Sequence, residues 1–111
     1  MKIIENYPLL NLNTFGLNIK AKYFTSINTV NELIEIKKTN EFKDLELLVL
    51  GGGSNILFTK DFDGLVILNN IKGKEIIVQN HHSVFLKIGA GENWHELVMY
   101  CVDKGWGGIE N

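Results

Sequence analysis

The sequence predicts an α+β fold of two small lobes, joined near residues 69–73, with the second lobe unfinished. Residues 23–50 follow one another as strand, helix and strand, which is typical of a unit with parallel strands. Residues 75–102 give a hairpin and then an amphipathic helix. Between these two patterns, polar residues and Gly73 interrupt the apolar periodicity, which marks a change of unit.

Composition limits the classes of protein to consider. The 111 residues are 45% hydrophobic and 22% charged, enough for one compact domain with a core. With 11 basic against 13 acidic residues, no positive surplus is available for nucleic acid. No apolar stretch reaches the length of a membrane span, and the first residues lack the apolar core of a signal peptide. We therefore expect a cytoplasmic protein without a nucleic-acid or membrane partner.

The first lobe begins with a strand at residues 23–27. Thr29 and Glu32 have the spacing of a capping box, and the apolar positions that follow predict a helix to about Thr39. The continuous apolar run at residues 45–50 then predicts a strand buried on both faces and parallel to the first. Ligands of such sheets lie beyond the carboxyl ends of the strands.

The second lobe follows a predicted turn at residues 61–64 and a buried strand at residues 65–68. Residues 75–79 and 84–88 predict a hairpin, and Asn93 with Glu96 predicts the start of a helix. Lys104 and Gly105 end this helix. Its apolar face comprises Trp94, Leu97, Val98, Cys101 and Val102.

The candidate binding loop is Gly51-Gly52-Gly53-Ser54-Asn55, directly after the apolar strand. Three glycines leave no side chain between the backbone and a ligand, and their N–H groups can converge as an anion-binding nest. A phosphate or pyrophosphate is the natural occupant. A loose turn between two strands explains the same glycines equally well.

Two familiar nucleotide motifs are excluded by single positions. The dinucleotide fingerprint needs a third glycine where the chain has Ile56, and the P-loop needs Ser or Thr where Glu75 follows Gly73-Lys74. The residues after Asn55 favour an extended chain over a helix. We therefore expect the loop to bind phosphate through its backbone alone, without a helix dipole.

Four short motifs together resemble the amino-terminal part of the UDP-N-acetylenolpyruvoylglucosamine reductase family, flavoenzymes of bacterial cell-wall synthesis. The resemblance covers the chain from about Leu12 to Asn111, and we expect the chain to be a fragment of a longer protein. The motifs are Asn13-Thr14-Phe15-Gly16, residues 50–57, Ile71-Lys72-Gly73 and residues 89–95 (Gly-Ala-Gly-Glu-Asn-Trp-His).

The resemblance implies a vanillyl-alcohol-oxidase-type (PCMH-type) FAD-binding domain made of two small α/β subdomains. The first would comprise residues 1–70, and the second, incomplete, residues 71–111. FAD would be bound non-covalently, with Gly51, Gly52, Gly53, Ser54 and Asn55 around its pyrophosphate. Gly89, Ala90 and Gly91 would lie close to the cofactor from the second subdomain.

The chemistry that the resemblance implies is that of an oxidoreductase of peptidoglycan synthesis. In the family, NADPH reduces the flavin, which then reduces UDP-N-acetylglucosamine enolpyruvate to UDP-N-acetylmuramate. A serine, a glutamate and an arginine assist in later segments of the family, and no residue of this chain matches them. No catalytic residue is therefore assigned, and we expect the chain alone to be inactive.

Other interpretations remain open for several residues. Gly89-Ala90-Gly91 also suits a tight strand-to-helix turn, and His81-His82 suits a solvated turn with no metal. Glu92 and Glu96 suit helix capping better than catalysis, while Cys101 and Trp94 suit packing against the sheet. A non-catalytic nucleotide-binding module using residues 51–55 and a purely structural interaction domain are the alternative functions.

Overall fold

The computed structural model describes residues 2–12, 18–51 and 58–109. The strands in these ranges are β1 (Ile4–Pro8), β2 (Lys20–Ile27), β3 (Leu47–Leu50), β4 (Phe62–Asn69), β5 (Lys74–Gln79) and β6 (Val84–Ile88). The helices are α1 (Val30–Lys38) and α2 (Trp94–Asp103), and a short 3-10 helix occupies Leu10–Leu12.

The first four strands form a mixed sheet in the order β1-β2-β4-β3. β2 and β3 each pair in parallel with β4, so the predicted parallel direction of the two strands around α1 is confirmed. They are not neighbours, because β4 lies between them. β1, which the sequence pattern did not predict, pairs antiparallel with the outer edge of β2.

An apolar core covers each face of this sheet, and the central strand β4 contributes to both. Its residues Leu65, Val66 and Ile67 are fully buried, as the apolar run predicts. Among the described residues, the buried core on the side of α1 comprises Ile27, Ile36, Phe42, Leu65 and Ile67. The buried core on the opposite side comprises, in the same ranges, Leu9, Ala21, Phe24, Leu50, Phe58 and Val66.

Two expectations for this part of the chain were wrong. β3 is an edge strand, so it is buried on one face only: Leu50 is in the core, whereas Val49 is 50% exposed. The turn predicted around Gly64 is instead part of β4. Glycine is needed at this position because the backbone of Glu46 lies very close to it. A Cβ on Gly64 would overlap the carbonyl oxygen of Glu46, which accepts the N–H of Leu65 at 2.9 Å.

Both helices begin at the predicted caps. Thr29 Oγ1 accepts the N–H of Glu32 at 3.2 Å, and the Glu32 carboxylate accepts the N–H of Asn28 at 2.9 Å. For α2, Asn93 Oδ1 accepts the N–H of Glu96 at 3.0 Å. These bonds satisfy N–H groups that the first helical turn leaves without partners.

The second helix ends as the sequence predicts, in a Schellman motif. Gly105 has φ +79°, and its N–H donates to Val102, while the N–H of Trp106 donates to Cys101. The indole of Trp106 then packs edge-on against Tyr100, with ring centroids 5.8 Å apart.

β5 and β6 form a separate antiparallel hairpin, as predicted. A groove of about 590 Å³ separates the hairpin from α2. Leu97 and Cys101 are buried, but Trp94 is 60% exposed, so its expected packing against the sheet was wrong. The described residues contain no helix that is long and apolar enough to cross a bilayer.

Candidate functional site

The carboxyl ends of three parallel strands meet at one edge of the larger sheet. Ile27 at the end of β2 pairs with Asn69 of β4, and Leu50 at the end of β3 pairs with Leu68. The chain leaves β4 along this edge, where the N–H of Asn70 donates to the carbonyl of Ile27 at 2.8 Å. Gly51, the first residue after β3, therefore lies where parallel sheets bind their ligands.

The two glycine segments singled out from the sequence meet at this edge. A Cβ built on Gly51 would lie 3.7 Å from the carbonyl oxygen of Ala90, an ordinary van der Waals separation. Both residues are exposed. Gly52-Gly53-Ser54-Asn55 and the motif at residues 13–16 lie outside the described residues, so their roles stay predictions.

Gly89 and Gly91 pack against the segment that joins the larger sheet to the hairpin. The N–H of Gly89 donates to the carbonyl of Gly73 at 2.9 Å, and the N–H of Gly91 donates to Ile71 at 2.8 Å. A Cβ on Gly91 would lie 2.6 Å from backbone atoms of Asn70, and a Cβ on Gly89 would overlap Ile71. Both glycines are therefore required by close backbone approach, whether or not a ligand is present.

Ala90 is the residue of this turn that is presented outward. Because the N–H groups of its two glycine neighbours are already bonded, neither donates to a ligand in this arrangement. The Ala90 N–H has no hydrogen-bond partner within residues 2–12, 18–51 and 58–109. The Ala90 atom that approaches Gly51 is the carbonyl oxygen, and among the described residues the Ala90 N–H is the donor of this turn that stays available to an anion.

Lys72 and Glu92 hold the turn from both sides. Lys72 Nζ donates to the carbonyl of Gly91 at 2.6 Å, and Glu92 Oε2 accepts the N–H of Gly73 at 2.6 Å. The other Glu92 oxygen lies 3.6 Å from Lys74 Nζ. The capping role expected for Glu92 was therefore wrong, because its carboxylate faces the joining segment and not the first turn of α2.

The carboxyl of Glu92 is stabilised in its charged form. The N–H of Gly73 lowers the pKa of Glu92 below its ordinary value of 4.5, and the charges of Lys74 and Lys72 act in the same direction. Sequence reasoning missed this group because its partners lie about twenty positions earlier, and no local motif signals such a pair.

Comparison with known proteins decides the family. Residues 21–111 match a family model described as FAD binding domain. The chain belongs to this family of FAD-binding domains.

Relatives that match all 111 residues are named UDP-N-acetylenolpyruvoylglucosamine reductase, and three of them illustrate the similarity. Those of Amoebophilus asiaticus, Flavobacterium johnsoniae and Vibrio parahaemolyticus are 46%, 47% and 40% identical. The chain spans about a third of their length: 33% of the first, and 32% of each of the other two. The resemblance inferred from the sequence motifs is confirmed, and so are the mixed α+β class and the PCMH-type FAD-binding domain.

The described residues fit a phosphate-bearing cofactor at this edge. Gly51 and Ala90 expose backbone without a bulky side chain between them, and Lys72 supplies a positive charge close to the turn. The nearby carboxylate of Glu92 is turned toward Gly73 and Lys74, which limits its repulsion of an anion.

Other polar candidates lie away from this edge. His81 and His82 are exposed as predicted, in a turn where Asn80 Oδ1 accepts the N–H groups of His82 and Ser83. Cys101 is 4% exposed, as predicted for a small core residue. In the part of the chain that the structure describes, no three His, Cys, Asp or Glu side chains are grouped to hold a metal ion.

Proposed function

We propose that this chain forms the pyrophosphate-facing part of the FAD site of a UDP-N-acetylenolpyruvoylglucosamine reductase. The approach of Gly51 to Ala90 supports this most directly, because it joins two segments that carry reductase motifs. FAD is held non-covalently in the proposed site. Its residues are Gly51, Gly52, Gly53, Ser54, Asn55, Gly89, Ala90 and Gly91.

The proposal includes the division of the chain into two FAD-binding subdomains. Residues 1–70 form the first and contain the larger sheet, and residues 71–111 begin the second with the hairpin and α2. We take the second as incomplete because the chain spans about a third of its relatives.

The chain's own contribution to the reaction is binding and orientation. Backbone N–H groups of the glycine loop and of Ala90 donate to the pyrophosphate, and Lys72 adds positive charge beside them. When bound, FAD would carry two electrons from NADPH to UDP-N-acetylglucosamine enolpyruvate, which yields UDP-N-acetylmuramate for peptidoglycan in the cytoplasm.

The chain alone is proposed to lack reductase activity. The resemblance assigns acid–base and charge-stabilising roles to a serine, a glutamate and an arginine, and none of them matches a residue here. The 111 residues include no arginine. Oxidation of NADPH by this chain in the presence of FAD and the enolpyruvyl substrate would contradict this part of the proposal.

FAD titration by flavin fluorescence tests the cofactor site, using Gly51→Asp and Gly51→Asn as a matched pair. Both variants add a side chain of nearly the same size beside Ala90, but only aspartate adds a negative charge. Two charges 4 Å apart repel by about 1 kcal/mol in water and by more in a partly desolvated site. We therefore expect the Kd of Gly51→Asp to exceed that of Gly51→Asn by about tenfold.

Each alternative function has its own outcome in this titration. Equal affinity of the two variants would remove the pyrophosphate from this edge. Binding of ADP or a UDP-sugar without flavin would support the non-catalytic nucleotide-binding module. Absence of all nucleotide binding would support the structural interaction domain.

A further inference from the structure

The segment at residues 70–74 is bonded to both parts of the proposed cofactor site. On the side of the larger sheet, the N–H of Asn70 donates to Ile27, and the Ile71 side chain packs against the core beneath α1. On the other side, its carbonyl groups accept the N–H groups of Gly89 and Gly91. Among the described residues, this segment therefore connects the Ala90 turn to the sheet that carries Gly51.

Two charged side chains connect the turn at residues 89–92 with the segment at residues 70–74, one from each side. Lys72 reaches from the segment to the carbonyl of Gly91, and Glu92 reaches from the turn to the N–H of Gly73. Gly73 has φ +136°, a backbone conformation that other residues rarely adopt. The side chain of Glu92 is only 10% exposed. The pair, called here the Lys72–Glu92 clasp, thus holds backbone groups and not merely another exposed side chain.

We propose that the Lys72–Glu92 clasp positions Ala90 beside Gly51 and so sets the geometry of the sheet edge that receives the pyrophosphate. Lys72 and Glu92 are then positioning residues, which act on the cofactor through the turn. This inference rests on the proposed function. It goes beyond a purely structural role because it ties the hydrogen bonds that Lys72 and Glu92 make with backbone groups to cofactor affinity.

Three variants of the chain test the clasp. Glu92→Ala removes the acceptor for the Gly73 N–H, and Glu92→Gln keeps an acceptor but removes the charge. Glu96→Gln is the matched control, because it makes the same charge change at an exposed residue in the first turn of α2. Each variant is examined by amide hydrogen exchange at Gly89 and Gly91 and by FAD titration.

We expect Glu92→Ala to accelerate amide exchange at both glycines and to raise the Kd for FAD by about tenfold. This increase is smaller than the full effect of losing one strong charge-assisted hydrogen bond, because Glu92 acts on the cofactor through the turn. Glu92→Gln should recover part of both losses because it restores the acceptor for Gly73. Glu96→Gln should match the parent chain. If Lys72 and Glu92 act by positioning the turn, glutamine should rescue both properties in part. The variants should then rank in the same order by amide exchange rate and by Kd for FAD.

The outcomes separate this inference from the proposed function. If Glu92→Ala exchanges like Glu96→Gln, the clasp does not hold the turn and the inference fails. If the turn loosens while FAD affinity is unchanged and Gly51→Asp still weakens binding, the inference fails and the proposed function stands. If the parent chain binds no FAD, the proposed function fails for this chain. The clasp is then judged by a nuclear Overhauser contact between Gly51 and Ala90, which Glu92→Ala must remove.

Discussion

Replacing Gly91 by alanine would push a methyl group into the backbone that joins the larger sheet to the hairpin. The new Cβ would lie 2.6 Å from the carbonyl oxygen of Asn69 and from two backbone atoms of Asn70. Ordinary Cβ contacts begin at 3.4 Å, so the turn and the joining segment must separate. That movement strains the hydrogen bond from the Gly91 N–H to Ile71 as well.

The cost follows from the kind of atom that has to move. Flexible side chains give way cheaply, but all three neighbours of the new Cβ are backbone atoms of Asn69 and Asn70, where β4 continues into the joining segment. Overpacking of well-packed sites costs about 1–3 kcal/mol, and we expect the upper half of this range for Gly91→Ala. At roughly 4 °C per kcal/mol, the midpoint of thermal unfolding should fall by about 8–12 °C.

Gly51→Ala is the matched control for this substitution. Its Cβ would lie 3.7 Å from Ala90, within ordinary contact distance, so its stability should stay within about 1 kcal/mol of the parent chain. Both variants are measured by thermal and urea unfolding followed by circular dichroism. If Gly91→Ala unfolds at the same midpoint as Gly51→Ala, the close approach seen here does not constrain the protein and the assignment of Gly91 as a packing glycine is refuted.

Three further predictions concern single side chains. Thr29→Ala should lower stability by about 1 kcal/mol in urea unfolding, because α1 loses its cap, while the exposed Thr59→Ala should not. Hydrogen bonds from backbone N–H groups lower the pKa of the carboxyls of Glu32 and Glu92 below 4.5, so the stability they contribute is present above that pH and lost below it. Glu92→Gln should accordingly show a shallower loss of stability in acid titration. Cys101 should react with a thiol reagent far more slowly in the native chain than in urea; equal rates would contradict its burial.

Local features of the fold could be predicted because the residues that determine them are close in sequence. Thr29 and Glu32 form the cap within one turn of helix, and the hairpin follows from two apolar runs around one short loop. The order of the strands could not be predicted in the same way. β4 enters between β2 and β3 through contacts with residues about twenty and forty positions away, and nothing in its own apolar run selects these neighbours.

The same limit explains the errors on burial. The run Leu47–Leu50 looks like a central strand, but its place at the sheet edge leaves Leu47 and Val49 partly exposed. β1 was not predicted because its sequence lacks the pattern of a strand. Its sequence, Ile-Glu-Asn-Tyr-Pro, has no apolar alternation, and Asn6 with φ +51° departs from strand geometry. The ring of Tyr7 stacked 3.9 Å from that of Phe24 is a long-range contact that holds this strand in place.

The glycines of the candidate site show what a motif can and cannot predict. The family resemblance places Gly51, Gly89 and Gly91 alike beside the cofactor, while a tight turn is the alternative for Gly89 and Gly91. The structure gives them different physical reasons. Gly51 has room for a methyl group, whereas Gly91 has none because a neighbouring backbone occupies that space. Of these three glycines, Gly51 therefore has room beside a ligand, whereas Gly89 and Gly91 are needed to build the turn.

This difference predicts how the site responds to substitution. At Gly51, alanine should be tolerated in both stability and FAD affinity, and sensitivity should begin with larger or negatively charged side chains. At Gly91, alanine should already lower both together, because the turn that presents Ala90 is displaced. A series of substitutions at the two positions, plotted as FAD affinity against unfolding midpoint, should give a vertical spread for Gly51 and a sloping line for Gly91. One common line for both would mean that Gly51, like Gly91, acts on the cofactor only through the stability of the fold.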